Sequence, residues 1–169
     1  MGIDVEFSVY CIVSSLYTHT FTTDKPWKEL QELVDQGYMI LGPRNIENNT
    51  ASLQKFNVPD NLSIRYYGRL GRFEMLQNLY HSYQEGVYSK WCKWNFNTSV
   101  LSNIEDIRST LLVWDDMWDD IERVAKEDPE LYDSHFNHVV RSKMRKILEY
   151  AVAQQPSSVQ IHTDIHIDY

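Results

Sequence analysis

The chain has 169 residues, of which 43% are hydrophobic and 13% aromatic, and its formal net charge at pH 7 is −8. This length and apolar content predict one compact domain, 1–169, and exclude an intrinsically disordered chain. The negative charge argues against general binding to nucleic-acid phosphates, and no stretch approaches the ~20 apolar residues of a membrane span.

The first predicted elements are a long strand, a short helix and a short strand. Residues 3–14 carry alternating apolar residues, and Tyr10 and Ile12 add apolar character to the other face, which predicts a central strand buried on both faces for much of its length. A helix is predicted to begin near Pro26 and to end at Gly37, and residues 38–41 predict the next strand. The apolar stripe of this helix consists of Trp27, Leu30, Leu33 and Val34.

The middle of the chain predicts a loop, two more strands and a second short helix. Residues 44–61 are polar and rich in asparagine, which predicts a long loop-like excursion. A strand is predicted at 62–67, then a helix that ends at Gly86, then a strand at 87–95. The apolar face of this helix is formed by Phe73, Leu76, Tyr80 and Tyr83.

Two long helices joined by the link KEDPE follow, and they predict an antiparallel hairpin. The apolar residues of the first repeat at alternating steps of three and four. They are Ile104, Ile107, Leu111, Trp114, Trp118, Ile121 and Ala125. The second helix continues the pattern with Phe136, Val140, Met144, Ile147 and Ala151. This apolar seam can bury against the sheet or join a second copy of the chain, so a homodimer through the hairpin is an alternative.

The predicted fold is α+β. A mainly antiparallel sheet of about five strands carries the helical hairpin on one face, together with the two shorter helices. The closing strand covers residues 159–168, and we expect it beside the first strand because both are long and have a fully apolar face.

The closing segment VQIHTDIHIDY offers a candidate metal site. His162, Asp164 and His166 share one face of the predicted strand and lie about 7 Å apart along it. A metal ion would need further ligands from elsewhere in the chain. The competing interpretation is the solvated face of a last strand.

The segment RYYGRLGR offers a candidate anion site between a strand and a helix. Backbone N–H groups in a glycine-bearing turn and the positive end of a helix dipole attract phosphates. The residues concerned are Arg65, Gly68, Arg69, Gly71 and Arg72. The competing interpretation is a tight turn whose arginines pair with surface acids.

A third candidate is a row of aspartates on the first long helix. Carboxylates spaced along a rigid helix can imitate DNA phosphates, as in DNA-mimic inhibitors. The row consists of Asp115, Asp116, Asp119 and Asp120. The competing interpretation is pairing with bases of the following helix, namely Arg141, Lys143, Arg145 and Lys146.

Aromatic residues beside arginines provide the fourth candidate, a protein interface. Tyrosine and tryptophan are the residue types that most often anchor interfaces, and neighbours on a strand cannot all be buried. The candidate residues are Tyr66, Tyr67, Tyr88, Trp91 and Trp94.

No catalytic motif or cofactor motif is present. The sequence lacks GxSxG, HExxH, CxxC and GxGxxG, so we predict no catalytic residue and no cofactor. Cys92, between Lys90 and Lys93, is the better of two candidate nucleophiles because lysines favour a thiolate. Cys11 lies in an apolar run, which favours core packing.

These features favour a small acidic cytoplasmic protein that binds and inhibits a partner by occlusion, of the immunity type or encoded by a virus or phage. Two distant cysteines and an acidic N-terminal segment predict a reducing compartment and no membrane. The main alternative is a phosphate-binding, nucleotide-binding or enzymatic domain that uses the arginines of 65–72. The third is a DNA-mimic inhibitor.

Overall fold

A computed structural model describes residues 2–22, 24–45, 50–57, 62–129, 134–154 and 158–168. Within these ranges it describes the backbone but not the side chains of residues 15–18, 42–45, 56, 57 and 134–137. In chain order the elements are β1 (Asp4–Thr20), α1 (Pro26–Asp35), β2 (Tyr38–Asn45), β3 (Thr50–Asn57), β4 (Ile64–Arg69), α2 (Leu70–Glu85), β5 (Ser99–Leu101), α3 (Ile104–Ala125), α4 (Ser134–Ala153) and β6 (Ser158–Asp168). No helix within these ranges is both long and apolar enough to cross a bilayer.

The sheet is built around β1. Its strand order is β2-β3-β1-β6-β5, and every pairing is antiparallel. On one edge of β1, β4 pairs with residues 4–9 and β3 with residues 13–20, while β6 pairs with residues 4–14 on the other edge. The α+β prediction and the expected pairing of the first and closing strands are therefore confirmed.

Alternation along β1 and β6 places the apolar residues of both strands on one face of the sheet. Because directly opposed residues of an antiparallel pair share a face, Val5 stands beside Ile167, and Cys11 beside Ile161. The buried members of this face are Val5, Phe7, Val9, Cys11, Val13, Val159, Ile161 and Thr163. Helices α2, α3 and α4 pack on this face and form the main core with it.

The two long helices form the predicted hairpin. The side chain of Asn103 caps α3 by accepting hydrogen bonds from the backbone N–H groups of Glu105 and Asp106. Trp114 donates its indole N–H to the carbonyl of Arg141 at 3.0 Å, which ties α3 to α4. The seam residues Ile107, Trp114, Trp118, Ile121, Ala125, Val140, Met144, Ile147 and Ala151 are all buried. The seam therefore packs inside one chain and is not available to join two copies, while the side chain of Phe136 lies outside the described residues.

The strand predicted at 87–95 is wrong. Residues 87–91 form turns, and 92–95 have no regular structure. The backbone groups that a strand neighbour would bind are taken by other partners: Lys93 N–H donates to Thr110 Oγ1, and the carbonyl of Trp94 accepts from Tyr80 and Gln84. Aromatic residues favour strands only where a sheet edge is free to receive them.

The loop predicted at 44–61 is also wrong in part. Residues 50–57 form β3, and the register Tyr17↔Leu53 shows that β3 continues the sheet beside the second half of β1. Among the side chains of this strand that the structure describes, Ala51 and Leu53 are the buried ones. The others in residues 50–55 are polar, so the strand lacks the composition by which sheet segments are recognised in sequence.

Helix α1 covers β3 on the same face of the sheet and closes a smaller core. Leu30 is buried there against Phe21, Ala51 and Leu53. Gly37 ends the segment with φ 97°, a left-handed conformation that glycine adopts without steric cost. The predicted apolar stripe is only half correct, because Trp27 is 59% exposed and Val34 39% exposed.

A buried hydrogen bond joins the irregular segment after α2 to the sheet. The indole N–H of Trp94 donates to Thr163 Oγ1 at 2.7 Å, and both side chains are buried. The carbonyl of Trp94 accepts from the Tyr80 hydroxyl at 2.8 Å. An unpaired polar group in such a core costs about 1–3 kcal/mol.

We predict that Thr163→Val lowers the free energy of unfolding by about 1–3 kcal/mol, because the Trp94 indole N–H loses its acceptor. Thr163→Ser keeps the hydroxyl and should cost about 1 kcal/mol for the lost methyl group. Urea denaturation monitored by fluorescence measures both changes. In a Trp94→Phe background, Thr163→Val should be nearly neutral. An equal cost in both backgrounds would show that the hydrogen bond contributes nothing.

Candidate functional site

The candidate site lies on the face of the sheet opposite the helices, which we call the open face. Among the described residues no helix covers it, and the polar residues that alternate with the core positions of β1, β4 and β6 point there. They form four rows, each given in the order β4, β1, β6. The first three rows are Arg69, Asp4 and Asp168, then Tyr67, Glu6 and His166, then Arg65, Ser8 and Asp164. The fourth row has no residue from β4 and consists of Tyr10 and His162. The open face thus joins two candidate segments that lie almost 100 residues apart in the sequence.

Aromatic rings and carboxylates on the open face contact each other across strands. The rings of Tyr10 and His162 stack, with centroids 5.1 Å apart and planes at 7°. Burial, followed by the charge of Asp164 and a hydrogen bond to it, raises the pKa of Tyr10. Tyr67 is 60% exposed, and its pKa is raised chiefly by the charge of Asp4. Both phenols therefore stay protonated and can donate hydrogen bonds at neutral pH.

A depression of about 290 Å³ lies in the middle of the open face. It lies against residues 6–10 of β1 and the beginning of β4, next to residues 10–12 of β1, which pair with neither β4 nor β3. Its polar lining consists of Glu6, Ser8, Tyr10, Ser63, Arg65 and Asp164. These polar residues are half-buried or exposed, so the depression suits one inserted side chain better than an enclosed ligand.

The arginines of the predicted anion site face acids instead. Arg65 Nε donates to Glu6 Oε1 at 2.6 Å, and Arg69 Nη1 lies 3.9 Å from Asp4 Oδ1. The predicted glycine-bearing turn is absent, because Gly68 pairs with Val5 within the sheet and α2 begins directly after Arg69. A Cβ at Gly68 would meet the Tyr66 hydroxyl at 2.1 Å, so glycine makes room for a neighbouring ring.

The helix end next to this segment is also partly occupied. The backbone N–H of Leu70 donates to the carbonyl of Ile3 at 2.9 Å. Gly71 lies in the first turn of α2, and Arg72 is engaged in a contact of its own. This geometry favours the interpretation of ion-paired arginines over an anion cradle.

The three residues of the predicted metal site lie on one strand face, as expected, but their side chains have other neighbours. His162 bonds to Gln160 Oε1 at 3.0 Å, and His166 to Asp168 Oδ1 at 3.1 Å. Asp164 lies beside Tyr10. Within the described ranges no three histidine, cysteine or acidic side chains are grouped so that they could hold a metal ion.

The aspartate row of α3 is largely neutralised by α4, which favours intramolecular pairing over DNA mimicry. Arg141 contacts three acids, with distances of 3.3 Å to Asp115, 2.9 Å to Asp119 and 2.9 Å to Glu122. Arg145 also pairs with Asp115. Asp120 accepts from the Tyr88 hydroxyl at 2.7 Å and pairs with Arg123, and Asp116 contributes to the charge around Tyr88.

The aromatic residues of the predicted interface do not form one surface. Trp94 is buried in the core, which contradicts its assignment to an interface, and Tyr66 packs partly against the same core. Tyr67 lies on the open face. Tyr88 and Trp91 lie on the helical side, where the hydrogen bond to Asp120 raises the pKa of Tyr88 to about 12.

Neither cysteine is placed for nucleophilic chemistry. Both are free and buried. Burial raises the pKa of the Cys11 thiol to about 11 and also raises that of Cys92, whose Sγ lies 3.4 Å from the Tyr80 hydroxyl. Lys93 favours the Cys92 thiolate but does not overcome burial.

Sequence reasoning missed four residues of the open face, namely Asp4, Glu6, Ser8 and Tyr10. Their signal was the alternation of polar with apolar residues in DVEFSVY, which predicts a polar strand face. We did not predict this polar face because we interpreted β1 as buried on both faces. Comparison with known proteins finds no matching family model, no matching curated protein and no matching solved structure.

We predict that Arg141→Gln lowers the free energy of unfolding by about 1–2 kcal/mol, because three acids lose a mostly buried cation. Arg123→Gln is the matched control, since Arg123 pairs with Asp120 on the surface, and it should cost under about 0.5 kcal/mol. Urea denaturation at low and high salt measures both. Equal costs would show that the Arg141 cluster adds nothing beyond an ordinary surface pair.

We predict that neither thiol reacts with a disulfide reagent in the folded chain at pH 8. With a pKa of about 11, only about one Cys11 thiol in a thousand is ionised at that pH, and burial also blocks access. After unfolding in guanidinium, both thiols should react. If one thiol reacts rapidly in the folded chain and Cys92→Ser abolishes that reaction, Cys92 is again a candidate nucleophile.

Proposed function

We propose that this protein is a small acidic binding protein that inhibits a protein partner by covering it with the open face. The observation that carries the proposal is the uncovered region of β4, β1 and β6, where an exposed tyrosine and two arginines share one face with a depression. Tyrosine and arginine are the residue types that contribute most to binding energy at interfaces.

The open face fits a protein better than a small ligand. The polar residues that line its depression are half-buried or exposed, whereas sites for small molecules enclose most of the ligand surface. A regular sheet is also a preorganised surface, so few side chains lose conformational freedom on binding. Occlusion by a rigid face requires no catalytic group, in agreement with the absence of catalytic motifs.

The charges of the open face favour a partner with basic groups. Four carboxylates, on Asp4, Glu6, Asp164 and Asp168, stand against the two guanidinium groups of Arg65 and Arg69. Arg65 and Arg69 already face Glu6 and Asp4, which leaves Asp164 in the depression as the carboxylate nearest to an incoming cation. The net charge of −8 would also speed association with a basic partner.

The proposal places the protein among inhibitors and immunity-type proteins of a cytoplasm, including those that viruses and phages encode. Two reduced and buried cysteines suit such a compartment. The phosphate-binding and DNA-mimic alternatives receive less support, because the arginines and aspartates on which they depend pair with each other within the chain.

We predict that Tyr67→Ala and Asp164→Asn each weaken partner binding about tenfold or more, because Tyr67 anchors the interface and Asp164 pairs with a basic group. Tagged variants and wild type are compared in capture from lysate, and the partner retained by wild type is then titrated. Leu112→Ala is the matched control, since Leu112 is 76% exposed on α3 and lies away from the sheet. It should leave binding unchanged.

Two outcomes would contradict the proposal. In the first, the partner is retained by Tyr67→Ala and lost by Trp91→Ala, which would place the interface on the helical side. In the second, no protein is retained and a nucleotide raises the melting temperature of wild type but not of Arg69→Ala. Hydrogen exchange should locate protection in β4, β1 and β6 when the complex forms.

A further inference from the structure

A second surface, separate from the open-face tyrosine and arginines, lies at the outer edge of β2. This strand is the last in the order β2-β3-β1-β6-β5, so one row of its backbone N–H and C=O groups lacks a strand partner within the described sheet. The register shift between Leu41 and Asn45 confines its regular edge to residues 38–41. Met39 and Ile40 are exposed there, and none of the four residues is charged. Unprotected apolar edges of this kind readily pair with another strand.

Helix α1 extends this apolar edge into the helical layer. His19 of β1 contacts Glu29 at 2.9 Å, so the Glu29 flank of the helix faces the middle of the sheet. At 100° per residue, Trp27 and Val34 lie on the opposite flank, above β2. Both are exposed, and with Ile40 they give this edge three exposed apolar side chains, which we call the apolar strip.

The charges of α1 make this strip complementary to itself. Lys28 lies in the first turn of the helix and Asp35 is its last residue. Because they are seven residues apart, or about two turns, they lie on the same flank. If a second copy runs antiparallel, Lys28 of each copy faces Asp35 of the other. Trp27 of each copy likewise faces Val34 of the other, with Gln31 at the centre.

A single two-fold axis can relate both the α1 helices and the β2 strands of two copies. The chain reverses at Gly37, and the middle of α1 lies about 8–9 Å from that turn at 1.5 Å per residue. The middle of the regular edge, between Met39 and Ile40, lies about 8 Å from it at 3.3 Å per residue. An axis perpendicular to the sheet can therefore pass through both centres.

The distance between the two α1 helices is also compatible with such a pair of copies. Leu30 places α1 above β3, and three strand spacings separate β3 from its symmetry mate, or about 14 Å. Closely packed helices have their axes about 8–10 Å apart, so a pair of helices about 14 Å apart needs large side chains such as the two Trp27 rings between them.

We propose that two copies of this chain form a symmetric dimer in which their β2 strands pair antiparallel and their α1 helices pack against each other. The sheet then continues across the two-fold axis, and the open faces of both copies lie on the same side. Because each copy contributes the same surface, the assembly closes at two.

Sedimentation analysis from about 1 µM to about 1 mM tests the proposal. We expect a mass twice the 20.0 kDa of one chain. Val34→Lys and Ile40→Lys should each raise the dissociation constant about tenfold or more, because each places two charges in an apolar contact. Leu112→Lys is the control for an exposed apolar residue elsewhere, and Tyr67→Ala for the open face; neither should change the mass. Circular dichroism verifies that each variant is folded.

A charge exchange tests the orientation of the two copies. Lys28→Glu and Asp35→Lys should each weaken the dimer severalfold, because like charges then face each other, and the double variant should restore it. A monomer throughout the concentration range overturns the proposal, as does an open-ended assembly. A dimer that survives Val34→Lys and Ile40→Lys, or that Leu112→Lys dissociates, also overturns it. A double variant weaker than both single variants excludes the antiparallel arrangement.

Discussion

The long strand β1 is the element on which the rest of the structure depends. It has strand neighbours along both edges, with β4 and β3 end to end on one side and β6 on the other. Every second residue of its first ten lies under the helices, and each such burial contributes about 1.5–3 kcal/mol. A shift of register by one residue would turn all of them to solvent. The alternation in β1 therefore determines how its neighbours align and where the helices pack.

The helical layer is held in place by large aromatic side chains whose polar atoms bond to the backbone or to the sheet. Tyr80 donates to the carbonyl of Trp94, Trp94 donates to Thr163, and Trp114 donates to the carbonyl of Arg141. Each hydrogen bond fixes the orientation of one ring, whereas apolar contacts alone would allow several orientations. Because these bonds also satisfy backbone groups, the segment between α2 and β5 keeps an irregular path inside the core without a strand partner.

Covering the sheet on one side only has a direct consequence for function. The uncovered side of β1, β4 and β6 is solvated, so it carries charges that meet across strands. Most of these charges neutralise each other, as Arg65 and Glu6 do, and the remaining features are the phenols, the hydroxyls and the depression beside Tyr10. This face thus combines ion pairs with an exposed tyrosine and a depression, the features on which the proposed protein interface rests.

The sequence by itself determined the elements whose signal is periodic. Apolar residues at alternating steps of three and four identified α3 and α4, and alternation identified β1 and β6 and the polar and apolar faces of β6. The pairing of acids on α3 with Arg141 and Arg145 also followed, because a short link forces two helices to run antiparallel. These features are local, or they depend on a single short connection.

Apart from the pairing of β1 with β6, which the sequence indicated, only the tertiary structure decided which segments meet. β3 forms from a polar, asparagine-rich segment because the second half of β1 offers it an edge, and residues 87–95 are not a strand because side chains take their backbone partners. The open face depends in the same way on β1, which brings Arg65 and Asp164 onto one surface. Strand pairing is a contact between distant segments, so the residues of one segment do not specify its neighbour. That choice depends on the energy of the whole sheet.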